Sequence, residues 1–247
     1  MNNDVSQDIL NAVAKDFEKK YKSSKTINKL ILKIDNGTAS HMDSYQFAQK
    51  VSDFLNYAIK KNMTEGTLPN GKLYYHIAES VLTPLLKNNH ALVTNYAKDV
   101  QTMLNKKDEI PFKGRTSKCN VDRIEGICSE FSRADKFEET QAELADSIEN
   151  YSLSCVDDTI KENAKFLNEL GYHEIVERRA DNGACKWCRS IEGTYDYSSK
   201  MDTTVFKRHK RCKCVVFCSR KKDEWQDVWS KKTYQGTFDN GRIIQED

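Results

Sequence analysis

Apolar residues along the first two thirds of the chain recur at helical spacing. Val5, Ile9, Leu10, Val13 and Phe17 form one stripe, and Phe47, Val51, Phe54, Leu55 and Ala58 form another. A third runs from Leu73 through Ile77, Val81, Leu85 and Leu86 and continues as Leu92, Tyr96, Val100, Met103 and Leu104. Pro84 interrupts it. Proline lacks an amide hydrogen and its ring strikes the preceding turn, so a kink or restart is predicted there. The stretch "PFKGRTSKCN" reads as a loop, and in "NVDRIEG" an Asn or Asp cap predicts a helix start. Two more helices are predicted, over roughly 134–150 and from Val156 to Leu170, with Gly171 as the C-cap of the second. These stripes are what core packing needs, and they contain no paired carboxylates or His/Cys constellation.

The periodicity changes at Tyr172. "YHEIVERRA" alternates like a strand, "IEGTYDYS" sets strand formers beside a glycine, and "CKCVVFCS" is rich in β-formers. The predicted class is therefore α+β, with a mainly helical body over residues 1–171 and a small β-rich cysteine module over 172–222. Residues 223–247 read as a polar tail carrying Trp225 and Trp229.

Composition narrows the setting. The 247 residues are 38% hydrophobic and 31% charged, with three prolines and a net charge of +2. That is a large, helix-tolerant chain with no whole-molecule pull toward nucleic acid. Charge is nonetheless concentrated: eight Lys/Arg and no acid lie between Lys207 and Lys222. "MNNDVSQDIL" has neither a basic nor an apolar leader region, and no run of about eighteen apolar residues occurs. A chain made in a reducing cytoplasm, without a membrane partner, is expected.

Eight cysteines in such a compartment argue for metal ligation over disulfides. Cys185 and Cys188 have the spacing of a metal knuckle, and His209, Cys212 and Cys214 supply a second cluster. Two short clusters joined by a hairpin are how structural zinc sites are assembled. The expected cofactor is one structural zinc ion. Five donors compete for four positions, and Cys212 with Cys214, or His209 with Cys212, both make workable second pairs. A thioredoxin-like pair needs a strand-to-helix junction in a βαβ unit, which "CKWC" lacks. A catalytic zinc would leave one position open to water, and no general base stands nearby. Zinc would stabilise a module too small to bury much apolar area. Trp187 would cover one side of the metal, and Gly183 and Gly193 would turn the chain around the knuckle. Cys119, Cys128, Cys155 and Cys218 read as ordinary thiols.

The run "RRADNGACKWCRSIEGTYDY", followed by "VFKRHKRCKC", resembles the C-terminal domain of phage minor head proteins of the Mu F-like head-morphogenesis family. The upstream pieces "VQTMLNKKDEIPFKG", "NVDRIEGICSEFS" and "SCVDDTIKENAKFLNELGYHEIVERR" look like the version found in phages of Gram-positive hosts. The resemblance covers roughly residues 99–217. It implies a minor capsid protein in the virion, made in the host cytoplasm and sited in the head near the portal, that assists head morphogenesis or genome delivery. Its implied partners are the portal or major capsid protein and, on the basic face, packaged DNA. No small-molecule substrate and no enzymatic activity are implied. Some relatives carry an ADP-ribosyltransferase, and no Arg…Ser-Thr-Ser…Glu-X-Glu arrangement is present here. The alternative is a nucleic-acid-binding zinc protein that sets the Lys207–Lys222 run against phosphates and stacks Trp225 and Trp229 on bases.

Overall fold

The computed structural model describes residues 5–198, 201 and 203–220, and the backbone alone of three later strands within 223–245. Six helices form the body: α1 Ser6–Lys22, α2 Lys25–Asp35, α3 His41–Asn62, α4 Tyr75–Lys107, α5 Val121–Phe131 and α6 Phe137–Glu169. Their starts follow local chemistry. The Ser24 hydroxyl accepts from the Ile27 amide, and Asn120 Oδ1 accepts from the Arg123 amide at 3.0 Å. Ser40 and Asp43 close a reciprocal capping box at the head of α3.

Two predicted helix boundaries are absent. Helix α4 continues through Pro84 with no restart. Pro84 and Ser80 are both exposed, so the Ser80 carbonyl that proline leaves without a helical donor is on the solvent side. The two helices expected on either side of Tyr151–Cys155 are one 33-residue helix, α6. Every residue from Asn150 to Asp157 is buried there, as in a helix packed on all sides. The serines, which weaken helices by competing for backbone groups, bond back into it instead. Ser152 Oγ donates to Ile148 O at 2.9 Å and Ser154 Oγ to Tyr151 O at 2.7 Å. The 111–120 segment is a loop, as its composition predicts. It is pinned by Asn163, whose Oδ1 accepts from the Arg115 amide and whose Nδ2 donates to the Arg115 carbonyl.

Gly171, with φ of +88°, terminates α6, and the Tyr172 amide closes onto Leu167 O at 3.0 Å. The chain then forms β1 Glu174–Arg179, the short helix α7 Lys186–Ser190, β2 Gly193–Asp196 and β3 Val215–Arg220. They make an antiparallel sheet in the order β2-β1-β3, with Arg178 opposite Gly193 on one side and Val216 on the other. The sheet lies on α3 and α6. Secondary structure changes at Gly171, but the apolar core continues across it, since Val176, Val205, Phe206 and Val216 pack in one cluster with the helical core. The sheet is therefore supported by the body. What has almost no apolar core of its own is the knuckle, where Cys188, Cys212 and Cys214 cluster with only Ala180 and Ala184.

Where a polar tail was expected, the backbone forms a second antiparallel sheet of β4 Asp223–Gln226, β5 Thr233–Asp239 and β6 Arg242–Gln245. Trp229 and the side chain of Trp225, offered above as base-stacking groups, lie outside the described residues, as do Lys221 and Lys222. Among the described residues no helix is long and apolar enough to cross a membrane.

Candidate metal centre

The first donor cluster follows β1. The chain turns at Asp181, whose carbonyl accepts from the Ala184 amide at 2.8 Å and whose carboxylate accepts from the Gly183 amide at 3.1 Å. Cys185 is the N-cap of α7, and Cys188 follows on the buried side. The amides of Cys188 and Trp187 point at the Cys185 sulfur and draw its pKa below the ordinary thiol value. Glu192 accepts from the Ala180 amide at 3.0 Å and closes the loop behind. Gly193, with φ of +150°, holds a conformation that favours glycine, as predicted, whereas Gly183 has no positive φ.

The second cluster lies on the segment between the 3₁₀ turn Thr203–Phe206 and β3. Its tight bend closes with the Cys212 amide donating to His209 O at 3.2 Å. Arg211 takes the left-handed conformation in that bend, at φ of +63°. Cys212 and Cys214 lie in the β-rich stretch "CKCVVFCS" but precede β3 Val215–Arg220 and are not on a strand. Both are buried all the same.

All five predicted donors converge. His209 Nε2 is 3.0 Å from Cys188 Sγ and 3.4 Å from Cys185 Sγ, and Cys188 Sγ is 3.6 Å from Cys212 Sγ. Two triads result, Cys185–Cys188–His209 and Cys188–Cys212–Cys214, each with its donor atoms within 4.8 Å of one another. Cys188 belongs to both. These Cys/His groups could hold a metal ion, and soft thiolates with one imidazole suit one. The tautomer fits as well. His209 Nδ1 is 2.7 Å from the Lys210 carbonyl, to which it donates, so the Nε2 lone pair faces the sulfurs. Burial pushes the Cys188 thiol up. For Cys214 burial is outweighed by the Asp181 amide, the neighbouring sulfurs and Arg178, which pull it down. Trp187 meets His209 edge-on, with ring centroids 5.7 Å apart, so it covers the imidazole.

The other four cysteines take no part. Cys128 Sγ is 3.6 Å from Ala78 O, Cys119 Sγ is 3.5 Å from the Tyr151 hydroxyl, Cys218 donates to Glu174, and Cys155 is buried in α6.

The sequence reading missed the groups that hold the donor loop in place. Arg208 is fully buried and pairs with Asp157 of α6, with Nη2 3.1 Å from Asp157 Oδ1. The same guanidinium donates to Cys212 O at 3.1 Å and Cys214 O at 2.6 Å. Tyr45 donates to Asp157 at 2.5 Å and accepts from the Val216 amide at 2.9 Å. Asn150 donates to His209 O at 2.8 Å. Nothing in one-dimensional spacing pairs residue 157 with 208. A hint existed for Arg178, which period-two alternation sets on the same strand face as Val176.

Half of the basic run faces acids within the molecule. Besides Arg208, Arg211 pairs with Asp146 at 2.5 Å, Lys213 with Glu149, and Lys210 lies 3.9 Å from Glu130 and 3.8 Å from Glu143. No protein-family model matches the chain, and neither curated proteins nor solved structures give a match.

Proposed function

We propose that this chain is a structural protein whose C-terminal module is locked by one zinc ion, and that it serves as a minor capsid protein of a tailed phage, in the head near the portal. The observation that carries the reading is that Cys185, Cys188, His209, Cys212 and Cys214 form two overlapping triads, with the 209–214 loop bolted to α6 through Arg208 and Asp157. Zinc prefers such a donor set and, when bound, supplies cross-linking stability with no redox chemistry of its own. The chain's residues do the rest. Cys185 and Cys188 present sulfurs from a turn, and His209 offers Nε2 because Lys210 O holds its other nitrogen. Arg208 fixes the backbone of Cys212 and Cys214.

The resemblance of "CKWC…HKRCKC" to Mu F-like minor head proteins supplies the biological setting and the expected partners, portal or major capsid protein. Nucleic-acid binding through the basic run is the weaker reading, because four of its eight cations face acids of α5 and α6. The test is mass spectrometry of purified particles of the encoding phage, with metal analysis of the isolated chain. Peptides of this chain in virions and about one zinc per chain are expected. Absence from particles despite expression in infected cells removes the capsid assignment, and a metal-free folded chain removes the zinc.

A further inference from the structure

Arg178 is fully buried, 1% exposed, on the inner face of β1. Its Nη1 donates to Val205 O at 2.5 Å, and its Nε has no partner among the described residues. Its Nη2 is 3.5 Å from Cys212 Sγ and 4.0 Å from Cys188 Sγ. Among the described residues no carboxylate hydrogen-bonds to it. A guanidinium stays charged in any protein interior, and a buried cation without an anion is strongly disfavoured. Among the described residues, the groups hydrogen-bonded to it that can carry the balancing charge are these sulfurs.

We propose that Arg178 is the fixed counter-charge of the metal centre and selects its ligand set: a divalent ion held by His209 and three of the four cysteine thiolates. This rests on the cluster being a metal centre. Three thiolates around a divalent ion leave one net negative charge, which one guanidinium cancels. The competing set of Cys185, Cys188, Cys212 and Cys214 leaves two, only half of it balanced. His209 Nε2, aimed between Cys185 and Cys188, favours the same choice. A second ion bridged through Cys188 would bring further positive charge against the guanidinium, so one ion per chain follows. Arg178 acts through the sulfurs, as a positioning residue.

The experiment is titration of the metal-free full-length chain with Zn²⁺ and Co²⁺ against a competing chelator. Arg178→Met should lower metal affinity about 10–100-fold, the usual effect of losing an outer-shell partner. Arg178→Lys, which keeps the charge, should stay within a few-fold of the parent. Co²⁺ charge-transfer absorption should have the intensity of three thiolates, and His209→Ala should weaken binding. In the Arg178→Met background, Cys212→His, which removes one negative charge, should recover part of the loss, whereas alone it weakens binding. Unchanged affinity in Arg178→Met, an equal loss in Arg178→Lys, or four-thiolate intensity overturns the inference while leaving the metal centre intact. Failure of the parent chain to bind any ion overturns both. If Arg178→Met does not fold, His209→Ala decides: native affinity in that chain overturns the proposed ligand set.

Discussion

Asp157, at the middle of α6, and Arg208, four residues before Cys212, are both fully buried and hold each other across the joint between helical body and donor loop. The pair does more than neutralise itself, because Arg208 also carries the carbonyls of Cys212 and Cys214 and Tyr45 also donates to Asp157. Breaking such a pair from one side leaves a buried charge. Asp157→Ala should therefore cost about 3–5 kcal/mol, read as a lowered denaturant midpoint. Asp157→Leu combined with Arg208→Met should cost less than either single change, since no charge is left stranded. A double variant as unstable as the sum of the singles would contradict this account.

Removing the metal should affect the molecule unevenly. The sheet shares its apolar core with the helices, while the knuckle has three sulfurs and two alanines. Chelation should leave helical circular dichroism nearly unchanged and abolish hydrogen-exchange protection in the two knuckle segments, residues 185–190 and 209–214, while β2 keeps its protection. Cys188→Ser should be the most damaging single change, because Cys188 belongs to both triads.

Acid should destabilise the fold through His41. It is buried at the start of α3 and donates to Cys218 O at 3.1 Å, and burial lowers its pKa from 6.5 to about 4. The unfolded chain therefore binds more protons between those values, and stability rises with pH across that window. Full loss below pH 4 amounts to roughly 3 kcal/mol. Burial beside Asp157 raises the Asp158 pKa to about 6, which acts in the opposite sense. The difference between the parent and His41→Gln isolates the histidine: the slope of stability against pH from about 4 to 6.5 should be less positive in the variant than in the parent.

Gly114 allows the 111–120 loop to press on α4. A Cβ there would fall 2.4 Å from Lys98 O and 2.9 Å from Gln101 Cβ. Gly114→Ala should cost about 1–3 kcal/mol by thermal melting, since backbone must move. Gly126→Ala, with open space around it, should be neutral or slightly stabilising because alanine is the better helix former.

Much of this protein was legible in one dimension. The stripes of α1, α3 and α4 are the buried faces, and Gly171 and Asn120 cap where they should. Local spacing also picked out the five side chains that the fold brings into the two triads, because a knuckle and a His-X-X-Cys-X-Cys run are short-range patterns. The continuity of α6 was not legible, since its serines read as breakers until their hydroxyls are seen to bond back to the preceding turn.

The sequence by itself thus determined where helices and strands arise and which atoms could ligate, because those depend on neighbours a few residues apart. Only the tertiary structure decided what surrounds the sulfurs and what the basic run faces. Arg178 beside Cys212, Arg208 on Asp157, and Arg211 on Asp146 join residues 34, 51 and 65 apart. Whether a charge is solvated or buried, and against which partner, is set by the packing of distant segments, which no local pattern encodes.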